Sequence, residues 1–181
     1  MTVTLAPFPG STAPDLTISV MASRPRPSSL KLDYEVGGDV AAVKVPGFVK
    51  RARADELWRT TCFEAFVARP DGGYVEINLS PSGFWAVYGF DGYREGMTPL
   101  DGVEVRDSER AHDATWIART VTLDLDRLGL PIDQPWRIAL STVIETADGA
   151  ISYWALAHPS DKPDFHHPDS FVLELPPMES Q

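Results

Sequence analysis

Glycine and proline recur so often along this chain that they limit it to short elements of secondary structure. Of the 181 residues, 16 are proline and 13 are glycine, and they divide the sequence into brief apolar segments. Proline lacks the backbone N–H that a helix interior needs, and glycine weakens helices, so long helices have no room. Short segments with regular turn signals are typical of an all-β sandwich or barrel. We predict one domain over residues 1–181, with residues 1–15 and 177–181 loosely ordered.

Eight segments have the composition or the alternation of apolar and polar residues that predicts a β-strand. The segments at 30–36 and 40–45 are predicted to pair with each other across a turn at 37–39. Short helical turns are predicted at 55–59 and 125–128. The eight predicted strands are 30–36, 40–45, 62–68, 74–80, 115–123, 136–145, 151–157 and 171–175.

The hairpin at 62–80 places chemically different side chains on its two faces. Successive strand residues point to opposite sides of a sheet, so one face is wholly apolar and is predicted to pack in the core. Pairing across the turn puts Glu64 opposite Asn78 and Phe66 opposite Glu76. The apolar face consists of Phe63, Ala65, Val67, Val75, Ile77 and Leu79, and the other face consists of Cys62, Glu64, Phe66, Tyr74, Glu76, Asn78 and Ser80.

The mixed face of this hairpin has a solvated interpretation and a functional one. An outer sheet face normally meets water, where Glu and Asn are common. Cys62 and Phe66 are poor choices for a wet surface, however, and Trp85 and Tyr88 follow closely in sequence. We therefore favour a half-covered concave face that offers carboxylates, an amide and aromatic rings to a ligand. Cys62 is interpreted as a buried small hydrophobe rather than a nucleophile.

The charge of the chain excludes several classes of partner. A formal net charge of −10 repels the phosphates of nucleic acids and the surface of an anionic membrane. A neutral or cationic small molecule fits better, and the oligomeric state is left open. Cys62 is the single cysteine, so no intrachain disulfide can form. The first residues lack the basic start and apolar run of a secretory signal, so a cytoplasmic location is expected.

Several blocks of the sequence resemble a known family. Residues 57–66 (LWRTTCFEAF) and 74–82 (YVEINLSPS) are similar to the bacterial DOMON-like proteins, which resemble the family 9 carbohydrate-binding modules. Residues 85–97 and 153–167 contain further parts of the same pattern, so the resemblance extends over 34–175. It implies an immunoglobulin-like or jelly-roll β-sandwich of two antiparallel sheets, whose members bind sugars or haem without catalysing a reaction.

The resemblance also implies roles for particular residues. In the sugar-binding relatives, tryptophans stack on pyranose rings and polar side chains bind the hydroxyl groups. Any single tryptophan is also typical of a core, and an arginine bridge to Glu64 or Glu76 can be purely structural. The candidate ligand-binding residues are Trp58, Arg59, Glu64, Glu76, Asn78, Trp85, Tyr88, Arg94, Trp154 and His158.

No cofactor is predicted, although haem and calcium are considered. Some DOMON cytochromes hold the iron between a methionine and a histidine, which here would be Met97 with His158, His166 or His167. The loop at 161–169 is rich in aspartate, which suits calcium, but it has no calcium-loop spacing. We expect this loop to close one rim of the pocket.

A glycoside hydrolase is the remaining alternative. Glu64 and Glu76 lie on neighbouring predicted strands, at a separation compatible with an acid–base pair. This function requires that both carboxyl groups reach one cavity and that the pKa of one is raised. Neither glutamate lies in an obvious catalytic motif, so a binding protein without catalytic residues is preferred.

Overall fold

A computed structural model describes residues 1–113 and 115–178, except the side chain of Arg110. Within these residues the chain forms thirteen strands and three short 3₁₀ helices, at Val40–Ala42, Leu57–Arg59 and Pro168–Ser170. None of the helices in the described ranges has the length and apolar character needed to cross a membrane. The strands are β1 (Thr2–Pro7), β2 (Leu16–Ser23), β3 (Ser29–Gly38), β4 (Ala52–Arg53), β5 (Cys62–Ala68), β6 (Tyr74–Leu79), β7 (Phe84–Phe90), β8 (Thr98–Pro99), β9 (Glu104–His112), β10 (Trp116–Asp124), β11 (Trp136–Glu145), β12 (Ile151–Ala155) and β13 (Leu173–Leu175).

The strands form one curled, hydrogen-bonded path in the order β4-β7-β6-β5-β11-β12-β1-β2-β3-β10-β9. Strand β8 extends the sheet beside β7, and β13 pairs with the start of β11. We call β4 to β8 with β11 to β13 the front half, and β2, β3, β9 and β10 the back half. Strand β1 joins the halves, because Thr2 to Leu5 pair with β2 whereas Ala6 and Pro7 pair with β12.

The main core lies between the two halves, because each presents its apolar face to the other. The Tyr34 ring of β3 stacks on the Phe63 ring of β5, with centroids 4.9 Å apart. The Tyr34 hydroxyl donates to the carbonyl oxygen of Glu64. The predicted apolar face of the hairpin belongs to this core, and its six side chains, Phe63, Ala65, Val67, Val75, Ile77 and Leu79, are fully buried.

The prediction of an all-β fold is confirmed, and the predicted register of the hairpin is confirmed residue for residue. Glu64 pairs with Asn78, and Phe66 pairs with Glu76. Strands β5 and β11 begin and end where the sequence predicts. A sandwich of two separate sheets is not confirmed, because β1 hydrogen-bonds to both halves and makes the path continuous.

The predicted pairing of 40–45 with the preceding strand is wrong. The chain leaves the sheet at Gly38, where φ is +100° and a β-carbon would lie 2.4 Å from the Asp15 carbonyl oxygen. Residues Val40–Ala42 then form a 3₁₀ helix, and β3 pairs with β2 and β10 instead. The helical turn predicted at 125–128 is a non-helical turn.

Some parts of the sheet were not expected. Five strands lie outside the segments that the sequence predicts to be strands, namely β2, β4, β7, β8 and β9. Residues 1–15, for which loose order was expected, contain β1, which pairs on both of its sides. Of the predicted loose segment 177–181, residues 179–181 lie outside the described part of the chain.

Candidate ligand-binding site

A cavity of about 380 Å³ opens on the face of the front half that points away from the main core. Its walls combine rings and aliphatic groups with a small set of charged and polar side chains. The apolar lining consists of Trp58, Phe90, Met97, Val143, Tyr153, Pro163 and Phe165. The polar lining consists of Glu64, Glu76, Arg94 and His166.

Strand alternation brings the polar residues together on this face. Residues that pair with one another on the neighbouring strands β11, β5, β6 and β7 form a row across the sheet. The row consists of Ser141, Glu64, Asn78 and Ala86. Serine and alanine at the ends of the row are small, and the cavity lies above Glu64 in this row. Glu76 lies two residues before Asn78 and therefore points to the same side of β6.

Glu64 is buried at the floor of the cavity, with 2% of its surface exposed. Its Oε2 accepts a hydrogen bond from Ser141 Oγ at 3.3 Å, whereas its Oε1 has no hydrogen-bond partner among the described residues. Burial, followed by the negative charge of Glu76, raises the pKa of Glu64 well above its usual range. The carboxyl group therefore holds a proton more strongly than a glutamate in water.

Glu76 is 4% exposed, and its Oε1 accepts a hydrogen bond from Asn78 Nδ2 at 2.7 Å. Burial raises its pKa to about 7, although the hydrogen bond from Asn78 and the charge of Arg94 act in the opposite direction. Glu76 is thus poised to change charge near neutral pH.

His166 belongs to the loop that follows β12. Its side chain connects this loop to the floor of the cavity. Its Nδ1 lies 2.7 Å from the Tyr74 hydroxyl, and its Nε2 lies 3.9 Å from Glu76 Oε2. The Tyr74 hydroxyl accepts a hydrogen bond from the Arg94 backbone N–H, so we assign its own proton to Nδ1. Burial, then the charge of Arg94, lowers the pKa of His166 to about 4, so the ring is neutral at pH 7.

An ion pair between Arg94 and Asp164 connects the loop after β12 to the segment after β7. Arg94 Nη2 donates to Asp164 Oδ1 at 2.8 Å, and the Tyr93 hydroxyl donates to Asp164 Oδ2. Burial raises the pKa of the Asp164 carboxyl, but these two hydrogen bonds outweigh it and lower the pKa overall. Arg94 has a left-handed backbone with φ of 58°, which a residue with a side chain adopts only where its surroundings impose it. The loop predicted at 161–169 does close one rim of the cavity.

Six of the ten candidate residues lie at the cavity or next to it. Trp58, Glu64, Glu76 and Arg94 line it. Asn78 lies in the floor, bonded to Glu76. Tyr88 lies under Trp58, with ring centroids 5.8 Å apart, and its hydroxyl donates to Asp55.

The other four candidates lie away from the cavity. Trp85 and Trp154 point to the opposite side of the front half and pack in the main core, where Trp154 Nε1 donates to Ser152 Oγ. Trp85 lies on the core side of β7 because it pairs with Leu79, a core residue of β6. Arg59 points outward and bonds Glu56. His158 lies against β1, with Nε2 bonded to the Ala6 carbonyl oxygen.

Several lining residues were missed as ligand-binding candidates. Val143 and Tyr153 share the face of the floor, and strand parity could have identified them once β11 and β12 were paired with β5. Phe165 and Pro163 come from the loop, and no sequence signal indicated which of its side chains turn inward. Phe90 lies on β7, a strand that was not predicted.

Of the three histidines considered as haem ligands, His166 lines the cavity together with Met97, whereas His158 and His167 are not among its lining residues. Both nitrogens of His166 face partners, namely Tyr74 and Glu76, although His166 and Met97 line the same cavity. His158 uses Nε2 on Ala6, and His167 Nδ1 accepts from the Asp169 backbone. No group of three or more potential metal ligands occurs within residues 1–113 and 115–178.

Comparison with known proteins supports the fold alone. No model of a known protein family matches the sequence, and no curated protein is similar to it. The chain is similar in structure to a crystal structure from Bacteroides uniformis ATCC 8492, of a protein to which carbohydrate binding is provisionally assigned. The two chains have a TM-score of 0.56 and 12% sequence identity, over 94% of this chain and 83% of the other.

Proposed function

We propose that this chain is a non-catalytic, DOMON-like β-sandwich domain that binds a small carbohydrate or sugar derivative in the cavity above Glu64 and Glu76. The observation that carries the proposal is the composition of the cavity, in which aromatic walls face a polar floor. A sugar ring presents an apolar patch of C–H groups that packs on aromatic faces, and hydroxyl groups that need fixed partners. The B. uniformis structure, similar in fold, is consistent with a sugar as ligand.

The size and charge of the cavity favour a small soluble ligand. A volume of about 380 Å³ lies near the lower end of the range for small-molecule pockets, which suits one sugar unit better than a polymer. Such a ligand is compatible with the cytoplasmic location that we propose, because polysaccharides are mostly found outside cells. A negatively charged nucleic acid or membrane surface remains a poor partner for a chain of net charge −10.

Replacing Trp58 with alanine is expected to weaken sugar binding by about tenfold or more, since it removes a half-buried aromatic wall of the cavity. A panel of monosaccharides titrated by calorimetry into the wild-type protein would identify a ligand and give the reference affinity. Trp116→Ala is the matched control, because Trp116 is a half-buried tryptophan of the back half. Equal affinities of the two variants, or no binding by the wild-type protein, would contradict the proposal.

A glycoside hydrolase is a second candidate that one observation favours. Glu64 and Glu76 line the same cavity, and burial raises the pKa of both carboxyl groups, that of Glu76 to about 7. Two carboxyl groups in one cavity, at least one of them with a raised pKa, are the arrangement that such hydrolases use. If the chain is a hydrolase, nitrophenyl glycosides should be cleaved by the wild-type protein, and by neither Glu64→Gln nor Glu76→Gln. Binding without cleavage supports the non-catalytic function.

A further inference from the structure

The cavity floor contains a buried carboxyl oxygen that lacks a donor. Glu64 Oε1 accepts no hydrogen bond from any residue that the structure describes, and the side chain lines the cavity. Burying a polar atom without a partner costs free energy, and the few such atoms in native proteins often mark a place for a missing partner. A ligand that donates a hydrogen bond here would recover that cost.

Positive charge at the cavity is already neutralised. Arg94 is the cationic residue among the described lining side chains, and its guanidinium is paired with Asp164 at 2.8 Å. The His166 ring is neutral at pH 7. Glu64 and Glu76 are therefore the groups that can take up an unpaired charge at the cavity, and a ligand cation would favour their ionised forms. An anionic ligand would find no free cationic side chain among the described lining residues and would be opposed by the net charge of −10.

Aromatic side chains surround the space above these carboxyl groups. Trp58, Phe90, Tyr153 and Phe165 line the cavity, and Tyr153 and Phe165 form an edge-to-face pair with centroids 6.1 Å apart. The faces of aromatic rings are electron-rich and attract cations, most strongly where water is excluded. An aromatic wall over an acidic floor is thus suited to a positively charged group.

We propose that the cavity selects a ligand with a positively charged nitrogen, such as an amino sugar, whose ammonium group pairs with the Glu64 carboxyl group beneath the aromatic walls. The inference rests on the proposed function, because it assigns the class of sugar that the same cavity takes. Burial favours the protonated form of Glu64, whereas a bound ammonium group would favour the ionised form.

The test compares D-glucosamine, D-glucose and N-acetyl-D-glucosamine by calorimetric titration near neutral pH. The three probes share one ring, and only D-glucosamine carries an ammonium group. We expect D-glucosamine to bind about tenfold more tightly than either neutral sugar, as a hydrogen bond between charged partners would give. Glu64→Gln should reduce this preference to about threefold or less, and Glu35→Gln, an exposed charge change on the back half, should retain it.

The outcomes separate this inference from the proposed function. Equal binding of the three sugars by the wild-type protein would overturn the inference and leave sugar binding intact. Absence of binding by all three would overturn both. A preference that persists in Glu64→Gln would contradict the role of Glu64, and the wild-type comparison stands whether or not that variant folds.

Discussion

Replacing Arg119 with methionine is expected to destabilise the protein by about 3–5 kcal/mol, because it removes one partner of a buried ion pair. Arg119 is fully buried on β10, on the same inward face as Ile117 and Val121. Its Nε and Nη2 donate to Asp107 Oδ1 at 3.0 and 2.9 Å, and its Nη1 donates to the carbonyl oxygens of Ser80 and Phe84. The side chain thus connects the back half to the turn between β6 and β7.

Urea denaturation of the two proteins at one pH measures this loss. The variant leaves Asp107 with a largely buried, unpaired charge, which accounts for most of the expected loss. The Ser80 and Phe84 carbonyl oxygens lose the Arg119 donor but keep the backbone N–H donors of Gly83 and Ser80. Arg106→Met is the control, because Arg106 pairs with Glu104 on an exposed part of β9 and should change stability little. A loss of less than about 1 kcal/mol for Arg119→Met would show that the buried pair is not a major source of stability.

Glu76→Gln is expected to become more stable relative to the wild-type protein as the pH rises, by about 3 kcal/mol in total. The pKa of Glu76 is about 7 in the folded protein, against 4.5 for a glutamate side chain in the unfolded chain. Between these two pH values the folded protein keeps the proton and the unfolded chain has lost it, so raising the pH favours unfolding. The protonated Glu76 side chain thus contributes to the free energy of unfolding below pH 4.5, and this contribution is fully lost above about pH 7.

Glutamine resembles the protonated carboxyl group and keeps the acceptor for Asn78, so the variant does not suffer this loss. His166 acts in the opposite direction, because its pKa falls from 6.5 to about 4 on folding and stability rises with pH across that range. That contribution is common to both proteins and cancels in their difference. Burial raises the pKa of Glu64 in both proteins, so this part of its effect on stability is common to them. The charge of Glu76 raises the pKa of Glu64 further, and this second part is present only in the wild-type protein, where it adds to the loss of stability.

The measurement is the free energy of unfolding of both proteins by urea denaturation at about pH 5 and about pH 8. Glu35→Gln serves as the control, since Glu35 is exposed on β3 and its variant should differ from the wild-type protein by a constant amount. A difference between Glu76→Gln and the wild-type protein that does not change with pH would show that Glu76 ionises normally in the folded state.

Local sequence patterns were sufficient to predict the centre of the site. Alternation along β5 and β6 separates the core side chains from the mixed face, and the turn between the strands fixes which residues pair. For this reason Glu64 and Glu76 could be placed on one face of the hairpin before the structure was known. The same alternation, applied to β7, would have assigned Trp85 to the core, but that strand was not recognised.

Contacts between distant segments could not be predicted in this way. Ser141 reaches Glu64 because β11 pairs with β5 across 77 residues of sequence. His166 reaches Tyr74 and Asp164 reaches Arg94 because a loop without regular structure folds over the front half. Loop side chains have no periodicity, so the sequence does not indicate which of them face a cavity.

The all-β class, the core face of the hairpin and the shared face of Glu64 and Glu76 follow from local sequence patterns. These features depend on glycine, proline and a two-residue period, which act over a few neighbouring residues. In contrast, contacts between segments far apart in sequence set the position of β1 between the two halves, the packing of Trp154 in the core and the place of Phe165 at the cavity. The raised pKa values of Glu64 and Glu76 also depend on such contacts, because burial is their main cause and burial is set by which segments pack together.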